Sequence, residues 1–458
     1  MTRESNAWPK GLLLTYYGDD FTGSTDVLEA FTAAGVATVL FLEPPKATDL
    51  ERFQHVRCVG LAGQSRGKSP AWMKSELPSA FECLKQMGAP ILQYKVCSTF
   101  DSSPAVGSIG QAIDLGVKTS SARWSPMVVG APRLKRFQVF GHLFAGAEGV
   151  VYRIDRHPTM SRHPVTPMTE GDLRVHLGAQ TLRRIELINL AELEDGLGQA
   201  HCDELQGDDQ PVVMIDVADK ASQIEAGRLV WENRGEGLFS ASSSGLQYAL
   251  AAYWRQQGLI PQTPSLPAAQ AVSCIAVVSG SCSPMSGVQI QSARAKGFST
   301  QRLHIANCLD VHQCDAEIAR LVSNAVSSIA QNMSPIVFSA EGPDDPAVLN
   351  FGTTAANAML SKTDAAVRIG QVLAEIMRQI LDQSSVRRFV VAGGDSSGAV
   401  GSHLGIRALT VEAGMAPGAP LCRTWSDDPK RDGLQVVLKG GQMGGVNFYE
   451  QVRSGVFL

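Results

Sequence analysis

The chain has 458 residues, of which 44% are hydrophobic and 18% are charged, and its net charge is −4. This length favours two domains, and the composition is that of a folded protein. Charges of both signs are scattered along the chain, so neither a nucleic-acid nor a membrane partner is indicated. The nine cysteines lack any Cys-x-x-Cys pair, no apolar run reaches the length of a membrane span, and the N-terminus lacks a signal peptide's apolar core. We therefore expect a cytoplasmic protein with reduced thiols.

The first elements form a β-α-β unit. An apolar strand is predicted over residues 12–17, a helix with apolar residues at helical spacing over 27–34, and a second strand over 36–42. Such a unit predicts parallel strand pairing. The dinucleotide motif Gly-x-Gly-x-x-Gly is missing from it.

Two adjacent acidic residues, Asp19 and Asp20, follow the first strand. Proteins of the α/β class place ligands at the carboxyl ends of their strands. One carboxylate can accept a proton from a hydroxyl, and the other can orient the substrate or hold a metal. The plainer interpretation is that Asp20 or Thr22 only caps the following helix. Because one carboxylate is enough for a cap, the pair favours a functional role.

The third and fourth strands end in further polar residues. A strand over 56–60 leads to Ser65 and Arg66, in a turn that is not a phosphate-binding P-loop because residue 62 is Ala. Arg66 could grip a carboxylate with two hydrogen bonds, or it could be a solvated loop arginine. A strand over 91–96 contains Lys95, whose ammonium would suit an anionic ligand, or which could be an ordinary surface charge.

Residues 145–174 are predicted to form a long, ordered, cationic loop, because residues 152–164 concentrate three arginines, two histidines and two prolines. Arg153 and His163 in this loop are candidate contacts for an acidic substrate. Strands over 185–189 and 212–217 and helices over 222–233 and 245–257 continue the alternation. The proline-rich stretch 258–270 is the predicted linker between domains 1–257 and 271–458.

The second domain contains three glycine- or serine-rich turns, each behind an apolar strand. Such turns bind phosphate through close backbone approach and free helix-start N–H groups. Together they predict a nucleotide site built from convergent strand ends. The turn residues are Ser281 and Ser283 after strand 275–278, Gly393, Gly394, Asp395 and Ser396 after strand 388–392, and Gly440, Gly441 and Gly444 after strand 434–438.

Four stretches, YYGDDFTGSTDVLEA, SGSCSPMSGVQI, VVAGGDSSGAVGSHLGI and LKGGQMGG, together resemble the four-carbon acid sugar kinase family, in motif order and over nearly the whole chain. The resemblance implies an α/β fold of two domains with mostly parallel sheets and an active site in the cleft between them. It implies phosphoryl transfer from Mg²⁺-ATP to the terminal hydroxyl of threonate, erythronate or a 3-oxo-tetronate. It further implies substrate contacts near Asp19, Asp20, Ser65, Arg66 and Lys95, and ATP contacts at the three turns.

For this transfer we assign Asp20 as the proton acceptor, Asp19 as the residue that orients it, and Arg66 and Lys95 as the groups that hold the carboxylate or stabilise the transferring phosphoryl group. Many relatives have Asp-Ser-Thr-Leu-Arg-Gly where this chain has Cys97-Ser-Thr-Phe-Asp-Ser102. This difference alters polarity, so a branched or longer sugar acid is compatible with the pattern.

Two other functions remain open at this point: an NAD(P)-dependent sugar-acid dehydrogenase and a sugar-acid sensor without turnover. The metal ligands are unknown from the sequence, and a homodimer is one assembly left open.

Overall fold

The computed structural model describes residues 9–147, 149–163, 165–205, 209–263 and 266–456. By backbone contacts the chain divides into two units, one within residues 1–39 and 44–265 and the other within 40–43 and 266–458. The division at 265/266 falls within the predicted linker, of which residues 264 and 265 lie outside the described residues. No helix of the described residues is long and apolar enough to cross a membrane.

The first unit alternates strands and helices. Its strands are Leu14–Gly18 (β1), Thr38–Phe41 (β2), Cys58–Ala62 (β3), Ile91–Lys95 (β4), Ser125–Met127 (β5), Arg136–Val139 (β6), His142–Ala147 (β7), Val150–Arg153 (β8), Ile185–Ile188 (β9), Val212–Ile215 (β10) and Leu238–Ser242 (β11). Its helices are Phe21–Ala33 (α1), Ala47–Glu51 (α2), Pro70–Lys85 (α3), Ile109–Gly116 (α4), Leu173–Gly178 (α5), Leu190–Glu194 (α6), Gly198–Glu204 (α7), Lys220–Glu232 (α8) and Gly245–Gln256 (α9).

The main sheet of the first unit has the order β11-β4-β1-β3 with parallel pairing. All residues of these four strands are buried, which is why β1, β3 and β4 read as apolar runs. Strand β11 was not predicted because serines interrupt it. Ser240 and Ser242 are nevertheless buried, since the Ser240 hydroxyl donates to the Pro126 carbonyl at 2.9 Å and the Ser242 hydroxyl accepts from the Val128 N–H at 2.8 Å.

Two smaller sheets complete the first unit. One is parallel, with the order β5-β10-β9, and the other is the antiparallel meander β6-β7-β8. The prediction of one loop over 145–174 was therefore wrong at its start, where residues 145–147 and 150–153 are strands. Most side chains of β7 and β8 are partly or fully exposed, so no hydrophobic alternation marks these strands in the sequence.

The second unit follows the same plan with one addition. Its strands are Ala276–Ser279 (β12), Ser299–Arg302 (β13), Pro335–Phe338 (β14), Arg388–Ala392 (β15), Ile406–Ala416 (β16), Ala419–Ser426 (β17) and Gln435–Lys439 (β18). Its helices are Pro284–Ala295 (α10), Ile305–Leu309 (α11), Cys314–Ala330 (α12), Pro346–Leu349 (α13), Phe351–Asn357 (α14), Lys362–Gln383 (α15), Gly394–His403 (α16) and Phe448–Ser454 (α17).

The sheet of the second unit has the order β16-β17-β18-β15-β12-β14-β13. Strands β18 to β13 are parallel, whereas β16 and β17 form an antiparallel hairpin that the sequence analysis missed. Leu40 and Phe41, which group with this unit, pair antiparallel with Leu409 and Ala408 of β16. The predicted α/β fold with a mostly parallel sheet is confirmed.

We predict that an ion pair at the start of α12 makes stability depend on pH. Burial would raise the pKa of Glu317, but its hydrogen bonds to Arg320 and the His304 N–H lower it from 4.5 to about 2. A carboxyl group whose pKa is lowered by folding stabilises the protein above its unfolded pKa and loses that effect as pH falls. Glu317→Gln should therefore lower stability against urea at pH 7 and have little effect near pH 2.

The control for this measurement is Asp315→Asn, which changes an exposed carboxylate in the same helical turn. Its stability should track the parent protein at both pH values. Equal urea midpoints for Glu317→Gln and the parent protein at pH 7 would contradict the prediction.

Candidate active site

The end of β1 places two carboxylates at the start of α1. Asp20 is the N-cap of this helix, since its Oδ1 accepts from the Gly23 N–H at 2.7 Å and its Oδ2 from the Thr22 hydroxyl at 2.7 Å. The helix therefore begins at Phe21, before the apolar spacing that predicted it. The Asp20 carboxylate does more than cap the helix, because its Oδ1 also accepts a hydrogen bond from Arg66 Nη2.

Arg66 binds both aspartates. Its Nε lies 3.0 Å from Asp19 Oδ2, and its Nη2 lies 2.7 Å from Asp19 Oδ1 and 2.7 Å from Asp20 Oδ1. The backbone joins the same residues, since the Arg66 N–H donates to the Asp19 carbonyl at 3.0 Å. Arg66 thus makes a two-pronged contact with the protein's own Asp19, so it is not a solvated loop arginine. Its contact with a substrate carboxylate stays a prediction.

Lys95 adds a second cation to this cluster. It is 3% exposed at the end of β4, and its Nζ lies 3.7 Å from Asp26 Oδ2. Gly23 permits the approach of these groups, because a Cβ there would lie 2.2 Å from Asp20 Oδ1, 2.7 Å from Lys95 Nζ and 3.2 Å from Arg66 Nη2. We call Asp19, Asp20, Asp26, Arg66 and Lys95 the acidic-edge cluster.

The surroundings move the pKa values of the two adjacent aspartates in opposite directions. Burial raises the pKa of Asp19 and outweighs the effect of Arg66. Burial also acts to raise the pKa of Asp20, but Arg66, Lys95 and the hydrogen bonds from Thr22 and Gly23 outweigh it, so this pKa is lowered. Asp19 is thus the stronger base, whereas the Asp20 side chain is the more accessible one, at 18% exposure against 4%.

The other predicted substrate contacts are placed differently. Ser65 is fully buried, and its hydroxyl lies 2.9 Å from the Tyr94 hydroxyl. Arg153 forms two hydrogen bonds, of 2.6 and 2.7 Å, with the Asp155 carboxylate. His163 Nδ1 lies 3.8 Å from Asp101 Oδ1. Within the described ranges, no hydrogen bond or ion pair joins Arg153 or His163 to the acidic-edge cluster.

The three turns of the second unit lie side by side because their strands are neighbours in the order β18-β15-β12. Ser279 pairs with Ala392, and Ala392 pairs with Lys439, so the three strands end in line. Hydrogen bonds connect the turns themselves. The Gly280 N–H donates to the Ala392 carbonyl at 3.0 Å, and the Gly393 N–H donates to the Lys439 carbonyl at 2.9 Å. We call residues 279–283, 392–396 and 439–445 the three-turn edge.

Serine hydroxyls hold the first turn to the third. The Ser283 hydroxyl caps α10 and donates to the Gly441 carbonyl at 2.6 Å. The Ser286 hydroxyl lies 2.9 Å from the Ser281 hydroxyl and 3.2 Å from the same carbonyl. A Cβ at Gly441 would lie 2.6 Å from Ser281 Oγ, so this contact requires glycine.

The second turn opens α16. Gly393 is its N-cap with a φ of 117°, a conformation that side-chain-bearing residues rarely adopt, and it provides no side-chain cap. The first N–H groups of a helix have no partner within the helix. An uncapped helix start beside two glycine turns is suited to bind phosphate.

Each of the two units matches the model of a known domain family. A model of a sugar-binding N-terminal domain matches residues 14–250, and a model of a nucleotide-binding C-terminal domain matches residues 276–449. The chain is 61% identical to the 3-oxo-isoapionate kinase of Paraburkholderia graminis, over 98% of this chain and 96% of that protein. It is 27% identical to the 3-oxo-tetronate kinase of Cupriavidus necator, over 96% of each.

The chain belongs to the four-carbon acid sugar kinase family. Its membership confirms the predicted class of activity, that of a sugar acid kinase. A Salmonella typhimurium structure described as a putative tRNA synthase has the same fold, with a TM-score of 0.77 and 23% identity over 96% of this chain and 98% of that one.

The two edges contain three residues whose surroundings the sequence does not reveal. Nothing in the sequence around Asp26 marks it as a site residue. Only the fold brings its carboxylate to Lys95. Gly23 lies in the stretch YYGDDFTGSTDVLEA, but the need for glycine there depends in part on Lys95, 72 positions away. The sequence pattern places Lys439 at the start of the third turn, whereas in the structure it ends β18 and is completely buried.

We predict that Gly23→Ala inactivates the kinase without unfolding it. The added methyl group must displace the Asp20 carboxylate or the Lys95 ammonium. Because small misplacements of catalytic groups are costly, kcat/KM for ADP release should fall by about 10²-fold.

The matched control is Gly67→Ala, in the turn that contains Arg66. A Cβ there has no heavy atom within 4 Å, so this variant should keep parental activity. If both variants are equally active, activity does not require the close approach of Asp20 and Lys95 at Gly23.

Proposed function

We propose that the protein transfers the terminal phosphoryl group of ATP to a hydroxyl of 3-oxo-isoapionate or a closely similar 3-oxo sugar acid. The main support is the 61% identity to a 3-oxo-isoapionate kinase over 98% of the chain. Identity to the 3-oxo-tetronate kinases among its relatives is 26–28%. The departure at residues 97–102 from the pattern of many relatives is in line with this difference in substrate.

In this proposal the acidic-edge cluster binds and activates the sugar acid. Asp20, the more accessible aspartate, accepts the proton of the attacking hydroxyl. Asp19 holds the Arg66 guanidinium through two hydrogen bonds and so fixes its position. Arg66 and Lys95 supply positive charge for the substrate carboxylate or the transferring phosphoryl group.

The three-turn edge binds the phosphates. Backbone N–H groups at the start of α16 and the hydroxyl of Ser281 are the donors. The Ser283 hydroxyl, which donates to the Gly441 carbonyl, holds the third turn beside the bound phosphates. In such transfers the protein contributes mainly positioning and charge stabilisation.

The three-turn edge also fits a phosphate-held Mg²⁺. No group of three or more His, Cys, Asp or Glu side chains that could hold a metal occurs among the described residues. Mg²⁺ commonly takes one or two carboxylates together with substrate phosphates, and Asp395 is the carboxylate of the second turn. A bound Mg²⁺ would neutralise phosphate charge there. The homodimer that the sequence leaves open also remains a proposal.

A substrate screen tests this proposal directly. ADP release is measured with 3-oxo-isoapionate, 3-oxo-tetronates, threonate and erythronate as acceptors, each at matched concentration. We expect 3-oxo-isoapionate to have the highest kcat/KM, by about tenfold or more, which corresponds to roughly 1.4 kcal/mol of transition-state discrimination. Equal or better turnover of a 3-oxo-tetronate would reject the proposed acceptor, and no ADP release with any acid would reject the kinase reaction.

The proton acceptor is tested by Asp20→Asn. Asparagine caps helices as well as aspartate does, so the helix start is kept while the base is lost. We expect kcat to fall by about 10²-fold with the Kd for ATP unchanged.

Asp219→Asn is the matched control for this variant. Asp219 caps α8 in the same way, accepting from the Ser222 N–H at 2.8 Å. Its variant should keep parental kcat. Full turnover by Asp20→Asn would show that another group accepts the proton.

A further inference from the structure

Lys439 is a buried cation without a countercharge. It ends β18 with no exposed surface. Its Nζ lies 3.4 Å from the Ser286 hydroxyl and 3.4 Å from the Gly441 carbonyl, which are long hydrogen bonds, and 5.8 Å from the centroid of the Phe448 ring. In the part of the chain that the structure describes, no carboxylate lies within ion-pair distance of it.

A buried ammonium in this state is unfavourable, because desolvation is not offset by an opposite charge. Burial alone lowers the pKa of Lys439 to about 8. The neighbouring strand provides a contrast. Arg388 of β15 is also buried, but its Nε donates to Gln435 Oε1 at 2.8 Å and its Nη1 donates to the Val452 carbonyl at 2.8 Å. A cation with a purely structural role thus finds close partners in this sheet, and Lys439 does not.

The position of Lys439 indicates which anion could neutralise its charge. Its backbone carbonyl accepts from the Gly393 N–H, so the residue lies where the second and third turns meet. Both groups near its ammonium are part of the three-turn edge or contact it. Gly441 lies on the third turn, and the Ser286 hydroxyl contacts Ser281 of the first turn. An anion held by the three-turn edge is therefore the countercharge within reach of this side chain.

We propose that Lys439 is a catalytic residue that contacts the β- and γ-phosphates of the bound nucleotide and neutralises their charge during transfer. This inference rests on the proposed function, since it requires a nucleotide at the three-turn edge. An ammonium in a dry site interacts with phosphate more strongly than one in water. Because the side chain has no exposed surface, the third turn, whose Gly441 carbonyl it contacts, must shift to admit the phosphates.

The test is Lys439→Met, which keeps the length and apolar stem of the side chain and removes the charge. The free variant should have a Tm equal to or above that of the parent, because an unpaired buried charge is removed. ATP and ADP should each bind at least tenfold more weakly, AMP should bind as before, and kcat should fall by about 10²-fold. Affinities are measured by isothermal titration, and Tm with and without each nucleotide.

Lys430→Met, at an exposed loop position, is the matched control and should behave as the parent does. A Lys439→Met variant with a lowered Tm and parental affinity for ATP and ADP would overturn the inference and assign the residue a structural role. Lys439→Gln is the second variant. If neither variant folds, the inference also fails, because the charge would then be required by the fold itself. If the parent protein binds neither ATP nor ADP, the proposed function has failed, which is a separate outcome.

Discussion

The alignment of parallel strand ends is the constraint on which both candidate sites depend. In a parallel sheet the residues that follow neighbouring strands meet at one edge. In the first unit Gly18 pairs with Ala62 on one side and Lys95 on the other, so the turns after β1 and β3 begin level with the end of β4. In the second unit Ala392 pairs with Ser279 and Lys439 in the same way. Each register fixes which side chains are neighbours at the edge.

The two edges manage charge in different ways. The acidic-edge cluster contains three carboxylates and two cations, and its stability depends on pairing, above all on the two hydrogen bonds between Arg66 and Asp19. The three-turn edge instead offers backbone N–H groups, serine hydroxyls and one unpaired ammonium. A sugar acid has a single carboxylate, whereas ATP has several phosphate charges. Two cations held in place by the protein's own carboxylates suit a ligand with one charge, and an excess of donors suits a ligand with several.

Asp20 shows that a structural and a functional role can share one side chain. Its carboxylate caps α1 and also contacts Arg66. The cap fixes the carboxylate at the helix start, where the helix dipole and the two cations favour its charged form. Capping is the plainer interpretation of Asp20, but a rigidly held, ionised carboxylate is what proton transfer in a fixed geometry requires. The role of Asp20 in the helix therefore supports the role proposed for it in the reaction.

The sequence by itself determined the α/β class, most of the strands, the longest helices, and the ends of β1, β3, β4, β12, β15 and β18 as the places where polar residues gather. These features are local, since buried parallel strands are apolar runs and phosphate turns are rich in glycine. Among the strands it missed are the serine-containing β11, the partly exposed meander β6-β7-β8 and the hairpin β16-β17, which lack a continuous apolar run or are stabilised by partners far along the chain. Only the tertiary structure decided that Asp26 faces Lys95, that Arg66 holds Asp19, and that Lys439 is buried with no countercharge among the described residues. Contacts across tens or hundreds of residues depend on strand order and register, and no spacing within a single segment encodes them.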